Sequence, residues 1–292
     1  MSPLLSFLLC LTIAYSCALA FGMARRSLPN RFRTGCVVIA LLACPLLIPA
    51  NEILLRAVAS LICGDLAFKV TDLSRLQATN DVPMRFSDFC RFLIPFPFLL
   101  VVFQQHQEQL SHADWRWTNI SRIIVAIVFC ALSIGLMYAA SLLPAVKSSF
   151  LFDHVVKVSA FVLLLEALSR FLYRLERLCG HDTVPIVNQI FKSRTVAEFW
   201  QRYNTRVHSW FYFNVFRRTR VRHSRAFSVV VAFLVSGLIH ELMFGIATSR
   251  FDGYQLTLFL AQIPAVLTSR LLRRFSVRNG VPGAALAHVF NA

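Results

Sequence analysis

The residues with the clearest capacity for chemistry are His240 and Glu241, which follow Ser236 and Gly237 inside a long apolar run. A helix through this run places His240 roughly 20 Å beyond the preceding basic residues, at the usual rise per residue. A histidine and a carboxyl group at that depth are costly unless they face protein or a water-filled cavity. A lone histidine is more often a structural group, hydrogen-bonded across a helical bundle. Because Glu241 accompanies it, we favour a functional role, that of a general base near neutral pH.

A second group of polar residues lies in the segment 196–213, which contains Asn204 and His208. At about 100° per residue the segment predicts one amphipathic helix, and such a helix lies in the plane of a membrane interface. Its polar side carries Arg202 and Arg206, and the two candidate residues share the edge of its aromatic side. The amide of Asn204 has the chemistry to donate a hydrogen bond to an oxyanion. On geometry alone, a plain amphipathic surface helix with both residues at a solvated edge is the favoured explanation.

A set of closely spaced arginines separates the two segments. The stretch 170–225 holds twelve Lys and Arg residues against three acidic ones, so it carries +9 of the net charge of +16. Guanidinium groups bind phosphate well, and a cationic surface concentrates anionic ligands. The arginines of its C-terminal part are Arg217, Arg218, Arg220, Arg222 and Arg225.

Composition identifies the surroundings of these groups. The chain has 292 residues, of which 57% are hydrophobic, and its mean hydropathy is +0.62. A lipid bilayer is the environment that this composition favours. The positive charge lies in loops between apolar segments, where it sets membrane orientation. A nucleic-acid partner is not expected, because no basic helix stands apart from the membrane segments. The scattered cysteines indicate neither disulfides nor a metal site, and we expect none.

The hydropathy pattern predicts an all-α, polytopic membrane bundle in one domain, 1–292, with the N-terminus outside and the C-terminus in the cytoplasm. Prolines interrupt the apolar segment 92–103, which we expect to be re-entrant or interfacial. Asp65 and Glu166 lie within spans, and we expect them to pair with arginines such as Arg56 and Arg170. The predicted spans number about seven: 3–23, 35–49, 53–68, 123–143, 152–172, 226–247 and 254–272.

Two motifs together resemble those of the membrane-bound O-acyltransferase superfamily, and of its wax-synthase-like branch in particular. They are Phe199-Trp200-x-Arg202-x-Asn204 and Ser236-Gly237-x-x-His240-Glu241. The resemblance covers about 195–272, with Tyr203 where that branch often has tryptophan. It implies a helical membrane fold with a buried reaction chamber and acyl-CoA as a co-substrate from the cytoplasmic side, without a further cofactor. It also implies that His240 is the catalytic histidine and that Asn204 is the second polar residue of the active site.

The expected reaction is therefore acyl transfer from acyl-CoA to the hydroxyl of a lipophilic alcohol. The acceptor stays open among a fatty alcohol, diacylglycerol, a sterol and other lipid-soluble alcohols. The membrane is the bacterial inner membrane or the endoplasmic reticulum, according to the organism, and the oligomeric state is open. The residues expected to bind acyl-CoA or support the site are Trp200, Arg202, His208, Arg217, Arg218, Arg220, Ser236 and Glu241.

One alternative is a small membrane transporter in which His240 and Glu241 relay protons or bind a substrate. Transporters are often built from repeated halves, and this sequence shows no internal repeat. The polar candidates also gather in its C-terminal third. A membrane di-iron enzyme is disfavoured because the eight histidines form no cluster of the required spacing. No His-Glu-x-x-His motif for an intramembrane zinc protease occurs either.

Overall fold

The computed structural model describes residues 2–23, 31–79, 85–108, 116–144 and 148–279, and within these ranges the regular structure is helical. The chain divides into two compact units. The first unit comprises 1–106 and 209–263, and the second comprises 107–208 and 264–292.

The helices of the described ranges are numbered in chain order. They are α1 (Pro3–Met23), α2 (Arg31–Ala43), α3 (Ile53–Thr79), α4 (Phe86–Leu93), α5 (Phe103–Glu108), α6 (Arg116–Leu142), α7 (Phe150–Leu178), α8 (Val196–Tyr203), α9 (Thr205–Phe211), α10 (Arg217–Arg220), α11 (Arg225–Thr248) and α12 (Tyr254–Asn279).

Within the described ranges, three helices are long and apolar enough to cross a membrane. These are Pro3–Met23, Trp117–Leu142 and Arg225–Thr248, with mean hydropathies of 2.2, 2.5 and 2.1 in their most apolar windows. The shorter stretch Tyr254–Thr268 is also apolar. The prediction of an all-helical membrane protein is confirmed at this level. The count of about seven spans and the assignment of one membrane domain stay predictions.

Helix α3 continues eleven residues past the predicted end of its span at Phe68, as far as Thr79. Lys69 and Asp72, which a cytoplasmic segment would expose, are both buried. They are tolerated because each is paired: Lys69 Nζ lies 2.7 Å from Asp65 Oδ2, and Asp72 Oδ1 lies 2.9 Å from Arg75 Nη2. Asp65 therefore pairs with a lysine one turn away, which corrects the expectation of an arginine partner.

The first unit packs α1, α2 and α3 around small buried residues such as Cys10, Ala14 and Ala18. The proline-containing segment after α4 is non-helical between Leu93 and Phe103, which agrees with the predicted helix break. Charged groups of α3 hold this segment at both ends. Lys69 Nζ donates to Ile94 O at 2.9 Å, and Asp72 Oδ2 accepts from Phe103 N at 3.0 Å.

In the second unit α6 and α7 pack against each other through small buried residues that include Ala126, Ser133 and Ala160. Small residues allow close approach of helices in a membrane. Glu166 on α7 accepts from Arg170 at 2.8 Å, one turn away, and this pairing was expected. Helix α6 begins seven residues before the predicted span 123–143. Helix α7 begins two residues before the predicted span 152–172 and ends six residues after it.

Candidate active site

The ring of His240 is hydrogen-bonded to the backbone of its own helix, α11. Its Nδ1 lies 2.8 Å from the carbonyl oxygen of Ser236, one turn earlier. Because a carbonyl oxygen can only accept, Nδ1 must carry the hydrogen of this bond. The neutral ring then has its lone pair on Nε2. The backbone of the Ser236-Gly237-x-x-His240 motif thus leaves Nε2 as the ring nitrogen that can accept a proton.

A glycine brings α12 close to this histidine. Gly237 is buried, and a Cβ at its position would lie 3.0 Å from Leu256 Cδ1 and 3.1 Å from Phe259 Cβ. The ring of Phe259 consequently reaches His240, with centroids 4.5 Å apart and planes inclined by 39°. Contact with an aromatic ring restricts rotation of the imidazole about its side-chain bonds.

Glu241 points to the first turn of α12. Its Oε1 accepts from Gly253 N at 2.7 Å, and its Oε2 accepts from Gln255 N at 3.0 Å and from Leu256 N at 3.4 Å. These are backbone donors that the start of a helix leaves without partners. A cavity of about 470 Å³ lies beside this carboxylate.

Asn204 separates two helices where one continuous helix, 196–213, was predicted. That prediction is wrong because the backbone of Asn204 is extended, with φ −149° and ψ 86°. Its Oδ1 accepts from Val207 N at 3.1 Å and so caps the next helix, α9. A preceding loop also takes up the adjacent backbone group, since Thr205 N donates to Ile186 O at 2.8 Å. With Oδ1 occupied, the Nδ2 amide is the side-chain group that can donate to a ligand.

Both arginines of the predicted polar side are ion-paired. Arg206 is fully buried and forms a bidentate pair with Glu176 of α7, at 2.9 Å and 2.5 Å. The expectation that Arg206 faces the solvated side of an amphipathic helix is therefore wrong. Arg202 pairs with Glu198 at 2.8 Å, one turn earlier in α8. It also donates to Asn188 O at 3.3 Å, so both arginines attach α8 and α9 to their neighbours in the second unit.

His208 and Trp200 belong to the same unit and are half-buried. Burial lowers the pKa of His208 below its ordinary value of 6.5. Its backbone N donates to Asn204 O at 2.8 Å, inside the start of α9. Trp200 lies in an aromatic cluster with Phe199 and Tyr203. The second unit thus carries Asn204, His208, Trp200 and Arg202, whereas the first carries Ser236, His240, Glu241 and the arginines of α10.

The lowered pKa of His208 predicts a specific dependence of stability on pH. The unfolded chain binds a proton at this residue more readily than the folded protein does, so protonation favours unfolding. The stabilisation is complete above pH 6.5 and is lost as the pH falls below that value. We expect His208→Gln to reduce the loss of melting temperature between pH 7.5 and 5.5, measured in detergent. Parallel melting curves for wild type and variant over this range would contradict the assignment.

The basic segment, 212–225, is helical over most of its length and is not a loop. A π-helix spans Tyr212–Phe216, and α10 continues it, so that a turn remains only before α11. The side chains of Arg217, Arg218 and Arg220 are exposed. The pKa of Arg218 is lowered by partial burial and then by the nearby charges of Arg75 and Arg31. Positive groups of three helices therefore lie near one another here, with the carboxylate of Asp72 among them. A net cationic surface of this kind concentrates anions.

Sequence reasoning missed the groups that hold this basic segment in place. Trp210 Nε1 donates to Phe68 O at 2.9 Å, and Asn214 Nδ2 donates to Asp72 Oδ1 at 3.0 Å. It also missed Phe259 and, three residues later on the same side of α12, the buried Gln262. A glutamine inside an otherwise apolar run was a signal that the sequence contained.

Comparison with known proteins gives a match over nearly the whole chain. The sequence model of the membrane-bound O-acyltransferase family, MBOAT, matches residues 5–291. The chain is also similar to diacylglycerol O-acyltransferase 1B of Glycine max, with 30% identity over 95 residues, 32% of this chain and 18% of that protein. It is also similar to diacylglycerol O-acyltransferase 1 of Arabidopsis thaliana, with 28% identity over 87 residues, which are 29% of this chain and 17% of that protein. The matched part is thus less than a fifth of either relative.

Proposed function

The chain belongs to the membrane-bound O-acyltransferase family, and from this premise we propose that it transfers an acyl group from acyl-CoA to the hydroxyl of a lipid-soluble alcohol. The observation that carries the proposal is the bond between His240 Nδ1 and Ser236 O, at 2.8 Å. It leaves the Nε2 lone pair of a half-buried histidine available to a substrate hydroxyl. A membrane helix retains such a group at a cost, and a catalytic role explains why it is present.

The proposed step moves one proton and exchanges one bond. His240 Nε2 takes the hydroxyl proton while the alcohol oxygen attacks the thioester carbonyl carbon. The tetrahedral intermediate collapses with cleavage of the carbon–sulfur bond, and the imidazolium returns the proton to the leaving thiolate. The products are an ester and free CoA. Asn204 Nδ2, whose amide partner Oδ1 is bound to Val207 N, is the proposed donor to the carbonyl oxygen during this step.

The proposed acceptor is a lipid alcohol of the wax-ester type, which follows from the motif pattern of residues 199–204 and 236–241. The relatives in the comparisons are named for a different acceptor, diacylglycerol. Both acceptors present a hydroxyl in the lipid phase, so His240 could deprotonate either of them. A fatty alcohol and a diacylglycerol are therefore compared in the same assay.

The test is an acyl-transfer assay with purified wild-type protein and radiolabelled acyl-CoA. The acceptor panel contains a long-chain fatty alcohol, a diacylglycerol and a sterol. We expect a labelled ester with at least one of them, and the preferred acceptor identifies the branch. If neither ester nor free CoA forms across the panel, the acyltransferase proposal fails, and flux measurements in vesicles would then examine transport.

The arginines of α10 are proposed to bind the phosphates of the acyl donor. We expect Arg218→Glu to raise KM for acyl-CoA about tenfold or more, since the variant replaces attraction for the phosphates by repulsion. The kcat value should change little, because the site of proton transfer is not altered. The matched control is Arg91→Glu, which reverses another exposed arginine. Equal effects of the two variants would refute specific phosphate binding at α10.

A further inference from the structure

Glu241 is adjacent to the proposed base in sequence, yet its carboxylate bonds the start of the following helix. We propose that Glu241 is a positioning residue: by capping α12 it holds Phe259 against the ring of His240. The inference rests on the proposed acyl transfer, and it assigns to the carboxylate a role in placing the base without contact with the substrate.

The first step of this argument is the capping interaction itself. Helix α12 begins at Tyr254, directly after Gly253, which has φ +76°. A glycine at this position has no side chain to cap the helix, so the capping group must come from elsewhere. Glu241 supplies it from α11 through its bonds to the backbone N–H groups of Gly253, Gln255 and Leu256, between 2.7 Å and 3.4 Å long. A carboxylate at a helix N-terminus also interacts favourably with the helix dipole.

The second step is the path from the cap to the imidazole. Phe259 follows Leu256 by three residues, so the two lie on the same side of α12, one turn apart. Leu256 and Phe259 both pack against Gly237, each with an atom within 3.1 Å of a Cβ built at that position. Phe259 is 6% exposed, and its ring centroid lies 4.5 Å from that of His240. A shift of the first turn of α12 would therefore move Phe259 relative to the imidazole.

The third step concerns what the contact adds. The bond from Nδ1 to Ser236 O holds one edge of the imidazole, but a single hydrogen bond does not fix both side-chain torsions of His240. The contact of Phe259 with the face of the imidazole restricts the remaining torsional freedom of His240. It thereby fixes the direction in which the Nε2 lone pair points. Misplacement of a catalytic group by about 1 Å can reduce the rate by two orders of magnitude. Glu241 would thus affect the rate constant of the chemical step more than the binding of acyl-CoA.

The kinetic test compares Glu241→Gln, Glu241→Ala and Phe259→Leu with wild type in the acyl-transfer assay. We expect kcat to fall about tenfold to a hundredfold in Glu241→Ala, with KM for acyl-CoA within about twofold. Glu241→Gln keeps one carbonyl acceptor and should retain part of the activity. The double variant Glu241→Ala/Phe259→Leu should be no slower than the slower single variant, because residues on one path are not additive. The matched control Asp252→Asn removes an exposed carboxylate from the same turn and should leave kcat unchanged.

A spectroscopic test makes the inference independent of the reaction. With ¹⁵N-labelled histidine, the His240 ring signals are assigned by their absence in His240→Ala. We expect the Nδ1–H tautomer in wild type and in Asp252→Asn, and broadened or shifted ring signals in Glu241→Ala. Unchanged ring signals in Glu241→Ala, or wild-type kcat in that variant, would overturn the positioning role. Wild-type turnover in His240→Ala would instead overturn the proposed function, so the two failures are distinct.

Discussion

Replacement of His240 by alanine is expected to abolish ester formation while the protein still inserts and folds. The variant removes the proposed proton acceptor, and a positioned general base contributes about 10²–10⁴ to the rate of such a reaction. A second contribution is lost with it, because the same imidazole returns the proton to the departing thiolate. We therefore expect residual turnover below about one part in a thousand of wild type. The measurement is initial-rate ester formation at saturating acyl-CoA.

The structure supplies the controls for this experiment. His154 is exposed and stacks on Phe150 one turn away, with centroids 5.7 Å apart. His154→Ala thus removes an exposed imidazole that the proposed mechanism does not use, and it should keep full activity. Binding of acyl-CoA to His240→Ala, measured with a non-hydrolysable analogue, should remain within a few-fold of wild type. Turnover at more than a tenth of the wild-type rate in His240→Ala would eliminate the assignment of the base.

The sequence was sufficient to predict the elements whose position depends on hydropathy alone. The first apolar run was predicted as 3–23 and is helical over Pro3–Met23, and the span that carries His240 differs from Arg225–Thr248 by one residue at each end. A long apolar run needs internal backbone bonding in a membrane, and the helix supplies it. The position of the break at Pro95 and Pro97 follows equally from local chemistry.

The break at Asn204 was not predictable in the same way. The pattern of Trp200, Tyr203 and Trp210 has the period of one helix, and the residues that interrupt it come from a distant loop. Ile186 O accepts from Thr205 N at 2.8 Å, and Asn188 N donates to Arg202 O at 2.9 Å. Periodicity within a segment contains no information about such partners. The sequence therefore identified Asn204 as a candidate without showing that its Oδ1 is used as a helix cap.

Glu241 shows the same limit for the site itself. Its place beside His240 in the sequence does not decide whether the carboxylate orients the ring or bonds another helix, because successive residues on a helix point about 100° apart. The choice between them depends on Gly253, which precedes α12 and has no side chain to cap its start. The missing cap is a property of the turn between α11 and α12. The motif Ser236-Gly237-x-x-His240-Glu241 contains no information about it.

The second large effect is expected at the buried pair of Glu176 and Arg206, which are fully enclosed in the second unit. Glu176→Ala should lower the free energy of unfolding by about 3–5 kcal/mol, because it leaves an unpaired guanidinium inside the protein. The carboxylate also accepts from Thr183 Oγ1 at 2.5 Å, and Arg206 Nε donates to Val184 O at 2.9 Å. The measurement is chemical unfolding of the detergent-solubilised protein.

An exposed pair in the same unit provides the control for this prediction. Arg177 Nη1 lies 3.3 Å from Asp182 Oδ1, and Asp182 is 52% exposed. Asp182→Ala should therefore cost only about 0–1 kcal/mol. A loss below about 1 kcal/mol in Glu176→Ala would mean that Arg206 finds other partners when its carboxylate is removed.

Arg206 follows Asn204 by two residues, so release of this pair should also loosen the start of α9. We accordingly expect Glu176→Ala to lose acyl transfer at temperatures below its own unfolding transition, whereas Asp182→Ala keeps it.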